Sequence, residues 1–401
     1  MTTSYNPFDP SQVDDHFGVL AELRATCPVA EVMPGTFYVA GHDEIVQISR
    51  DPATFGQGTF TPLDQDSRHP DEMNLGETNP PFHTVVRRNL SVALSQRRVA
   101  GFEPFVRATC AELVDGFAGR GSADLVADYG SPLPARVIGQ LAGLPAHDAA
   151  RARQFVDDSI FAQLQPDTPE GQAAAVRVAE FTAQLADIIE HRRSAVDQPD
   201  DLLGALLSCR DEDGQPISDR RILTHLGSDI LVGGVETTTH LIGNLFAQIL
   251  GTPGLYGRLR ADRSLGPAAV EESLRHMAPV QVVFRRATED TEVAGVAVAA
   301  GSVMVLGLSS ANRDQSAFDH PDDYDIDRAN SRGRHLAFNY GIHLCVGAAL
   351  ARLEAVCALD AVLDRLGDLA LAEDFEYHKV PFYMMRGPAE VPVRFTPVLA
   401  G

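Results

Sequence analysis

The sequence predicts a mainly α-helical protein with a small β-rich region. Two observations carry this. Apolar residues recur at helical spacing over seven stretches, at 14–26, 84–118, 134–163, 169–193, 219–250, 266–276 and 346–366, separated by clusters of Pro, Gly and Asp. Alternating patterns are confined to three short places. No internal repeat, low-complexity tract or linker divides the 401 residues, so one domain over 1–401 is expected, with a polar segment at about 1–14.

The elements follow in order. The opening "MTTSYNPFDPSQVDDHF" has neither a basic n-region nor an apolar h-region, so no signal peptide is expected. "VAEVMPGTFYVAG" reads as a hairpin around Pro34-Gly35. "NPPFHTVVRR" is a proline-initiated helix start that sets His83 and Arg87 one turn apart. "ILVGGVETTTHLIGNLFAQIL" is a long apolar helix with Gly233-Gly234 in its middle, each costing about 1 kcal/mol relative to alanine. Glu236 and Thr237 then place an acid and a hydroxyl inside it. Either the glycines pack a helix beside a surface turn, or they open the helix wall to a small ligand to which Glu236 and Thr237 relay protons. "AAVEESLRHMAPVQVVFRR" holds Glu272 and Arg275, which share a helix face. "TEVAGVAVAAGSVMVLGL" (291–308) alternates, with turn glycines at Gly295 and Gly301, and "VPVRFTPV" (391–398) is a last strand signal.

Composition excludes several functions. The formal net charge of -22 argues against binding nucleic acid or anionic membrane. Lys379 is the only lysine, so the positive charge is nearly all arginine. No apolar run has the length and freedom from charge that a membrane anchor needs. The five cysteines, Cys27, Cys110, Cys209, Cys345 and Cys357, are scattered and odd in number. That fits a reducing cytoplasm rather than a disulfide framework or a zinc site.

Cys345 stands apart. It follows His343, lies between Gly341 and Gly347, and precedes the helical run "VGAALARLEAVCALDAVLDRL". Free N–H groups at a helix start favour a thiolate. Gly341 permits a sharp turn, and Gly347 lets something flat lie close. Three readings stand side by side: a buried structural cysteine, a nucleophile activated by histidine, or a metal ligand. One thiolate cannot make a zinc site, yet it is enough to hold haem iron axially, because the porphyrin supplies four ligands.

Phe338-Asn339-Tyr340-Gly341-Ile342-His343-Leu344-Cys345-Val346-Gly347 resembles the haem-binding loop of the cytochrome P450 family of the soluble bacterial kind, and "GAALAR", reaching Ala351, resembles the helix that follows it. Asn339 replaces the usual glycine; asparagine tolerates left-handed backbone better than other non-glycine residues. Gly233-Gly234-Val235-Glu236-Thr237 is similar to the family's oxygen-binding motif, with Gly233 for alanine, and Asn79 stands where aspartate is common.

The resemblance implies the cytochrome P450 fold: a triangular helical prism, with haem between the long central helix and the helix after the cysteine loop. It implies haem b (iron protoporphyrin IX) held by the Cys345 thiolate, with His83, Arg87, Arg285 and His343 as partners of the propionates. Glu272, Arg275 and Arg328 would form a structural lock, and Glu236 with Thr237 would manage protons. The implied activity is a haem-thiolate monooxygenase that inserts one atom of O2 into a hydrophobic small molecule such as a steroid, terpenoid, fatty acid or polyketide. Electrons would come from NAD(P)H through a ferredoxin reductase and a ferredoxin, docking at Arg88, Arg97, Arg98, Arg332 and Arg334. A non-catalytic haem-thiolate sensor is the alternative, and would need no Glu236-Thr237 relay. By placement relative to the motifs, the substrate pocket should draw on Met73, Leu75, Ile230, Val280, Val282, Val283, Phe382, Met384 and Met385, besides Gly233.

Overall fold

The computed structural model describes residues 5–9, 12, 16–57, 69–145, 148–195, 199–211, 213–329, 331–380 and 382–397. Most of the expected segment at 1–14, the expected helix start at 14 and the end of the last strand signal at 398 lie outside them. The helices are α1 Phe17–Thr26, α2 His42–Arg50, α3 Phe82–Ala93, α4 Gln96–Ala118, α5 Pro132–Leu141, α6 Ala149–Leu164, α7 Pro169–Ser194, α8 Leu202–Leu207, α9 Asp219–Thr224, α10 Gly233–Gly251, α11 Leu255–Ala261, α12 Gly266–His276, α13 Leu308–Ala311 and α14 Ala348–Arg365. The strands are β1 Val29–Met33, β2 Thr36–Val39, β3 Phe55–Gln57, β4 Ser122–Asp124, β5 Val282–Ala287, β6 Thr291–Val293, β7 Val296–Val298, β8 Val303–Gly307, β9 Ala370–Leu371 and β10 Pro392–Arg394.

Two expected helices are each split in two. The run at 84–118 breaks where Leu94 and Ser95 leave helical backbone. The run at 134–163 breaks after α5, where Gly143 takes φ 78°, a conformation that ends a helix cheaply only at glycine. The long helix at 219–250 changes its winding: His225–Val232 is π-wound between α9 and α10. Such wide turns displace the residues after them and gather at functional sites. Here the displaced residues are Gly233 and Gly234.

The largest core cluster wraps α10. Leu241, Leu245 and Phe246 are fully buried with Val114 of α4 and Leu359 and Val362 of α14. The expected hairpin forms, with Val29 opposite Val39, and joins a five-stranded sheet of order β1-β2-β8-β5-β3. Within it β2 runs parallel to β8, and β5 pairs antiparallel with β8. A second core, including Val39, Ile48, Met304 and Leu336, joins this sheet and α2 to the segment that leads into the cysteine loop.

Candidate functional site

The cysteine loop is built from two left-handed residues. Asn339 takes φ 64° and Gly341 φ 68°. The Asn339 Oδ1 accepts the Tyr340 N–H at 2.8 Å, so the asparagine stabilises its own turn. A Cβ on Gly341 would collide with the Ser49 carbonyl. Cys345 N donates to the Phe338 carbonyl at 2.8 Å, which closes the loop. Cys345 precedes α14 by three residues, and its sulfur receives the N–H groups of Gly347 and Ala348. These donors do not by themselves offset burial, against the expectation that they keep the sulfur anionic. Burial raises the thiol above its ordinary value, and the two N–H groups, Arg87 and Arg352 only moderate this. The sulfur sits deep in the protein yet remains accessible, because it opens into a cavity.

Two consecutive glutamates of α12 brace the loop. Glu272 receives Arg275 at 2.9 Å (Nε to Oε2) and 2.7 Å (Nη2 to Oε1), Arg328 Nε at 3.2 Å, and the Ser331 hydroxyl. Arg275 is fully buried and also donates to the carbonyls of Asn312, Pro321 and Asp323. Glu271, which sequence reading passed over, receives Arg352 through Nε and Nη2 and lies 3.0 Å from His335 Nε2. Arg352 in turn lies over the Phe338 ring at 4.5 Å. The only sequence signal for Glu271 was an acid beside the E-x-x-R pair.

The cavity over the sulfur measures about 1010 Å³. Arg87, Gly233, Arg285, Phe338, His343, Gly347 and Ala351 all line it, and the His83 ring packs edge-on to His343 at 4.5 Å. Burial, followed by the positive charges of Arg87 and Arg285, lowers His83 to about 4; burial, followed by Arg285, His83 and Arg87, lowers His343 to about 3; and burial lowers Arg285 to about 10. His83 Nε2, His343 Nδ1 and Arg285 Nη2 are buried without hydrogen-bond partners. Arg285 Nη1 is held by Gln57 and the Phe284 carbonyl, and Arg87 clamps the Leu344 carbonyl. Buried, repelling donors of this kind fit a group that carries carboxylates. A Cβ on Gly347 would stand 3.8 Å from the sulfur, and one on Gly233 would meet only the Ser228 carbonyl, at 3.6 Å. The residues present therefore fit a flat dianionic macrocycle such as haem. Among the described residues no group of three or more His, Cys, Asp or Glu side chains could hold a metal ion by itself.

Glu236 departs from its expected place. It does not line the cavity; Thr237 and Thr238 do. Its carboxylate turns away from the cavity into the protein, 3.0 Å from Arg153 and 3.0 Å from His240. Burial opposes its charge, but His240 and Arg153 outweigh this and hold it below the usual carboxylate range. The reason is helical: side chains one residue apart point about 100° apart. Thr237 Oγ1 donates to the Gly233 carbonyl at 2.7 Å.

Of the expected pocket, Leu75, Ile230, Val280, Val283, Phe382, Met384 and Met385 line the cavity. Met73 and Val282 do not. Neighbouring strand residues face opposite ways, so Val283 takes the cavity side and Val282 is buried with Tyr38 and Val305. Met73 lies where Arg221 anchors the loop by its carbonyl, at 2.7 Å. Sequence reading also missed Asp229, which lines the cavity and accepts the Leu75 N–H at 2.8 Å, and Glu354 of α14.

Comparison with known proteins agrees with this geometry. The cytochrome P450 family model matches residues 156–367. The chain is 35% identical to the cytochrome P450 monooxygenase PikC of Streptomyces venezuelae, covering 95% of this chain and 91% of that protein. It is 33% identical to 6-deoxyerythronolide B hydroxylase of Saccharopolyspora erythraea, covering 95% and 96%. The solved structure of cytochrome P450 CYP109Q5 from Chondromyces apiculatus superposes with a TM-score of 0.86 at 31% identity, covering 99% of both chains. CYP109E1 from Bacillus megaterium, solved with testosterone, gives 0.83 at 28% identity, covering 97% and 99%. The chain belongs to the cytochrome P450 family. Within it, this is a bacterial-type P450 monooxygenase that acts on hydrophobic molecules. No helix among the described residues is long and apolar enough to cross a membrane.

Proposed function

We propose that this chain holds haem b through the Cys345 thiolate and hydroxylates a bulky hydrophobic molecule of the steroid, terpenoid, fatty acid or polyketide kind. The observation that carries this is one accessible sulfur facing a large apolar cavity whose rim holds three buried nitrogens without partners. The haem, when bound, supplies oxygen activation. The chain's residues do the rest. His83, His343 and Arg285 take the propionates, with Arg87 tying the same rim to the cysteine loop. Cys345 would hold the iron as a thiolate, whose charge the N–H groups of Gly347 and Ala348 would stabilise. Leu75, Ile230, Val280, Val283 and Phe382 exclude water from the substrate. Met384 and Met385 add an unbranched, adaptable wall. Thr237 holds water in the cavity and passes on its proton, while Glu236, pinned by Arg153 and His240, is the end of that route away from the cavity.

Electrons come from NAD(P)H by way of a ferredoxin and its reductase in the cytoplasm. Leu344 is exposed beside the cysteine, and Arg97, Arg332 and Arg334 are exposed for an acidic partner. Arg98 pairs with Asp200 at 2.8 Å, and Arg88 donates to the Arg210 carbonyl at 3.1 Å, so these two are less available. The test has two steps. The reduced carbon monoxide complex should give the red-shifted band of thiolate-ligated haem, and a ferredoxin chain should then give a hydroxylated product from a hydrophobic panel. Haem with no product from any ligand that perturbs its spectrum would favour a sensor.

A further inference from the structure

Asp229 stands in the cavity wall on the π-wound turn, and its side chain is only 6% exposed. Two donors fix its oxygens. Oδ1 accepts the Leu75 N–H at 2.8 Å, and Oδ2 lies 2.8 Å from Nδ1 of His225, which is fully buried. A carboxylate only accepts, and its two oxygens offer about four lone-pair sites, so one bond to each leaves capacity at the cavity wall. The neighbours on both elements are polar as well. Ser228 precedes Asp229, Asn74 and Gly76 flank Leu75, and all three line the cavity. Gln57 joins them by donating to the Gly76 carbonyl.

Nothing already assigned to the cavity uses this acid. It lies outside the rim formed by His83, Arg285 and His343, and it precedes Thr237 by two turns of one continuous helical run, about 10 Å along the axis. Its charge is met from within the protein. Arg221 of α9, 3% exposed, acts on Asp229 through space while it donates to Asp71 and to the carbonyls of Met73 and Pro70. What the cavity side of Asp229 lacks is therefore a neutral donor, not a second cation.

We propose that Asp229 is a specificity-determining residue that accepts a hydrogen bond from a hydroxyl group of the substrate. The chain then takes hydrophobic alcohols, anchors the hydroxyl at the π-wound turn, and presents the far end of the skeleton, about 10 Å away, to the Thr237 side of the cavity. A hydroxyl buried in the apolar part of the cavity would lose its bonds to water without return. An ether or ketone in its place would set a lone pair against the carboxylate and leave the acid unmatched.

The inference rests on the proposed monooxygenase reading, but its readout is binding and needs no turnover. Haem-loaded protein is titrated calorimetrically with matched sets built on a steroid, a terpene and a long-chain skeleton. Each set holds the alcohol, its methyl ether, the ketone and the primary amine. On at least one skeleton the alcohol should bind about tenfold more tightly than the ether and the ketone. Asp229→Asn keeps the shape and an oxygen for the Leu75 N–H, yet offers the cavity an amide donor. It should erase the preference, so that ether and ketone bind at least as well as the alcohol. Asp229→Ala, read by the same ratio, serves if the asparagine variant loads haem poorly. The proposal is overturned if no skeleton shows the preference in wild type, or if the amine binds more tightly than the alcohol. It is overturned too if both variants weaken every member of a set by the same factor, which is what mere tethering of Leu75 would give. Alcohols bound with this preference but never oxidised in the presence of a ferredoxin chain would uphold the subsite and count against the monooxygenase reading.

Discussion

Glu271 and Glu272 are consecutive residues that turn to different partners, Glu271 to Arg352 and His335, Glu272 to Arg275, Arg328 and Ser331. Between them they fix both flanks of the cysteine loop. Arg328 and Ser331 lie before the loop, and Arg352 lies behind it, stacked on Phe338. One helix thus sets the position of the sulfur without touching it. Removing one side of the Glu272–Arg275 pair strands a fully buried charge, at a cost of roughly 3–5 kcal/mol. Glu272→Ala and Arg275→Ala should therefore give little soluble protein and low haem content per chain, measured by the ratio of Soret to protein absorbance. Normal yield and haem in both variants would show that the lock is dispensable.

Glu271 makes a pH prediction of its own. Burial alone would raise its carboxyl, but the hydrogen bonds from His335 and Arg352 hold it at about 2, below its ordinary 4.5. The folded state then binds fewer protons than the unfolded state between those two values. Its stabilisation is fully present above pH 4.5 and is lost as pH falls toward 2. Glu271→Gln should be less stable than wild type at pH 7, and the gap in thermal midpoint should shrink on acidification. A gap that does not change between pH 7 and pH 3 would remove the electrostatic account.

The sequence made the cysteine loop and the E-x-x-R pair legible because their chemistry lies in residues close together along the chain. Asn339 could be placed in a left-handed turn because it stands where the resembled loop has glycine. What stayed hidden depended on rotation about an element or on contacts between distant elements. The π winding over His225–Val232 leaves no mark in apolar spacing. Glu236 is held away from the cavity by Arg153, which approaches from α6, over eighty residues earlier. Strand β5 was read for its pocket residues, and only its pairing with β8 shows that Val282 and Val283 must face opposite ways. Glu354 carries no signal in the sequence, because only the fold shows that it is buried and lines the cavity.

Arg285 and His343 should govern how tightly haem is kept. A charge-assisted hydrogen bond contributes about 1.5–3 kcal/mol, so losing one should speed haem loss roughly tenfold to a hundredfold. Arg285→Ala and His343→Ala can be compared by the rate of haem transfer to apomyoglobin. Rates equal to wild type would place the propionates elsewhere.

Cys345→Ala should abolish the thiolate-type spectrum of the reduced carbon monoxide complex. Cys357→Ala should retain it, since Cys357 is buried in α14 and away from the cavity. The reverse result would overturn the assignment of the ligand.

Thr237→Ala should waste reducing equivalents. Its hydroxyl proton is directed at the Gly233 carbonyl, which leaves its lone pairs free to accept from water in the cavity. That role matters after oxygen and electrons have arrived and hardly at all for ground-state binding, so haem content and substrate affinity should stay near wild type. Product formed per NAD(P)H should fall about tenfold, with hydrogen peroxide rising to match. Helix rotation alone would make Thr238 a neutral control, but Thr238 also lines the cavity and is 3% exposed. Thr238→Ala is therefore a second probe of the same water, and the proper control is Thr239, whose hydroxyl faces the Val235 carbonyl and Arg153. If Thr237→Ala and Thr239→Ala couple equally well, Thr237 only packs the helix. If Thr238→Ala alone uncouples, the proton-bearing water sits on the Thr238 side of the cavity.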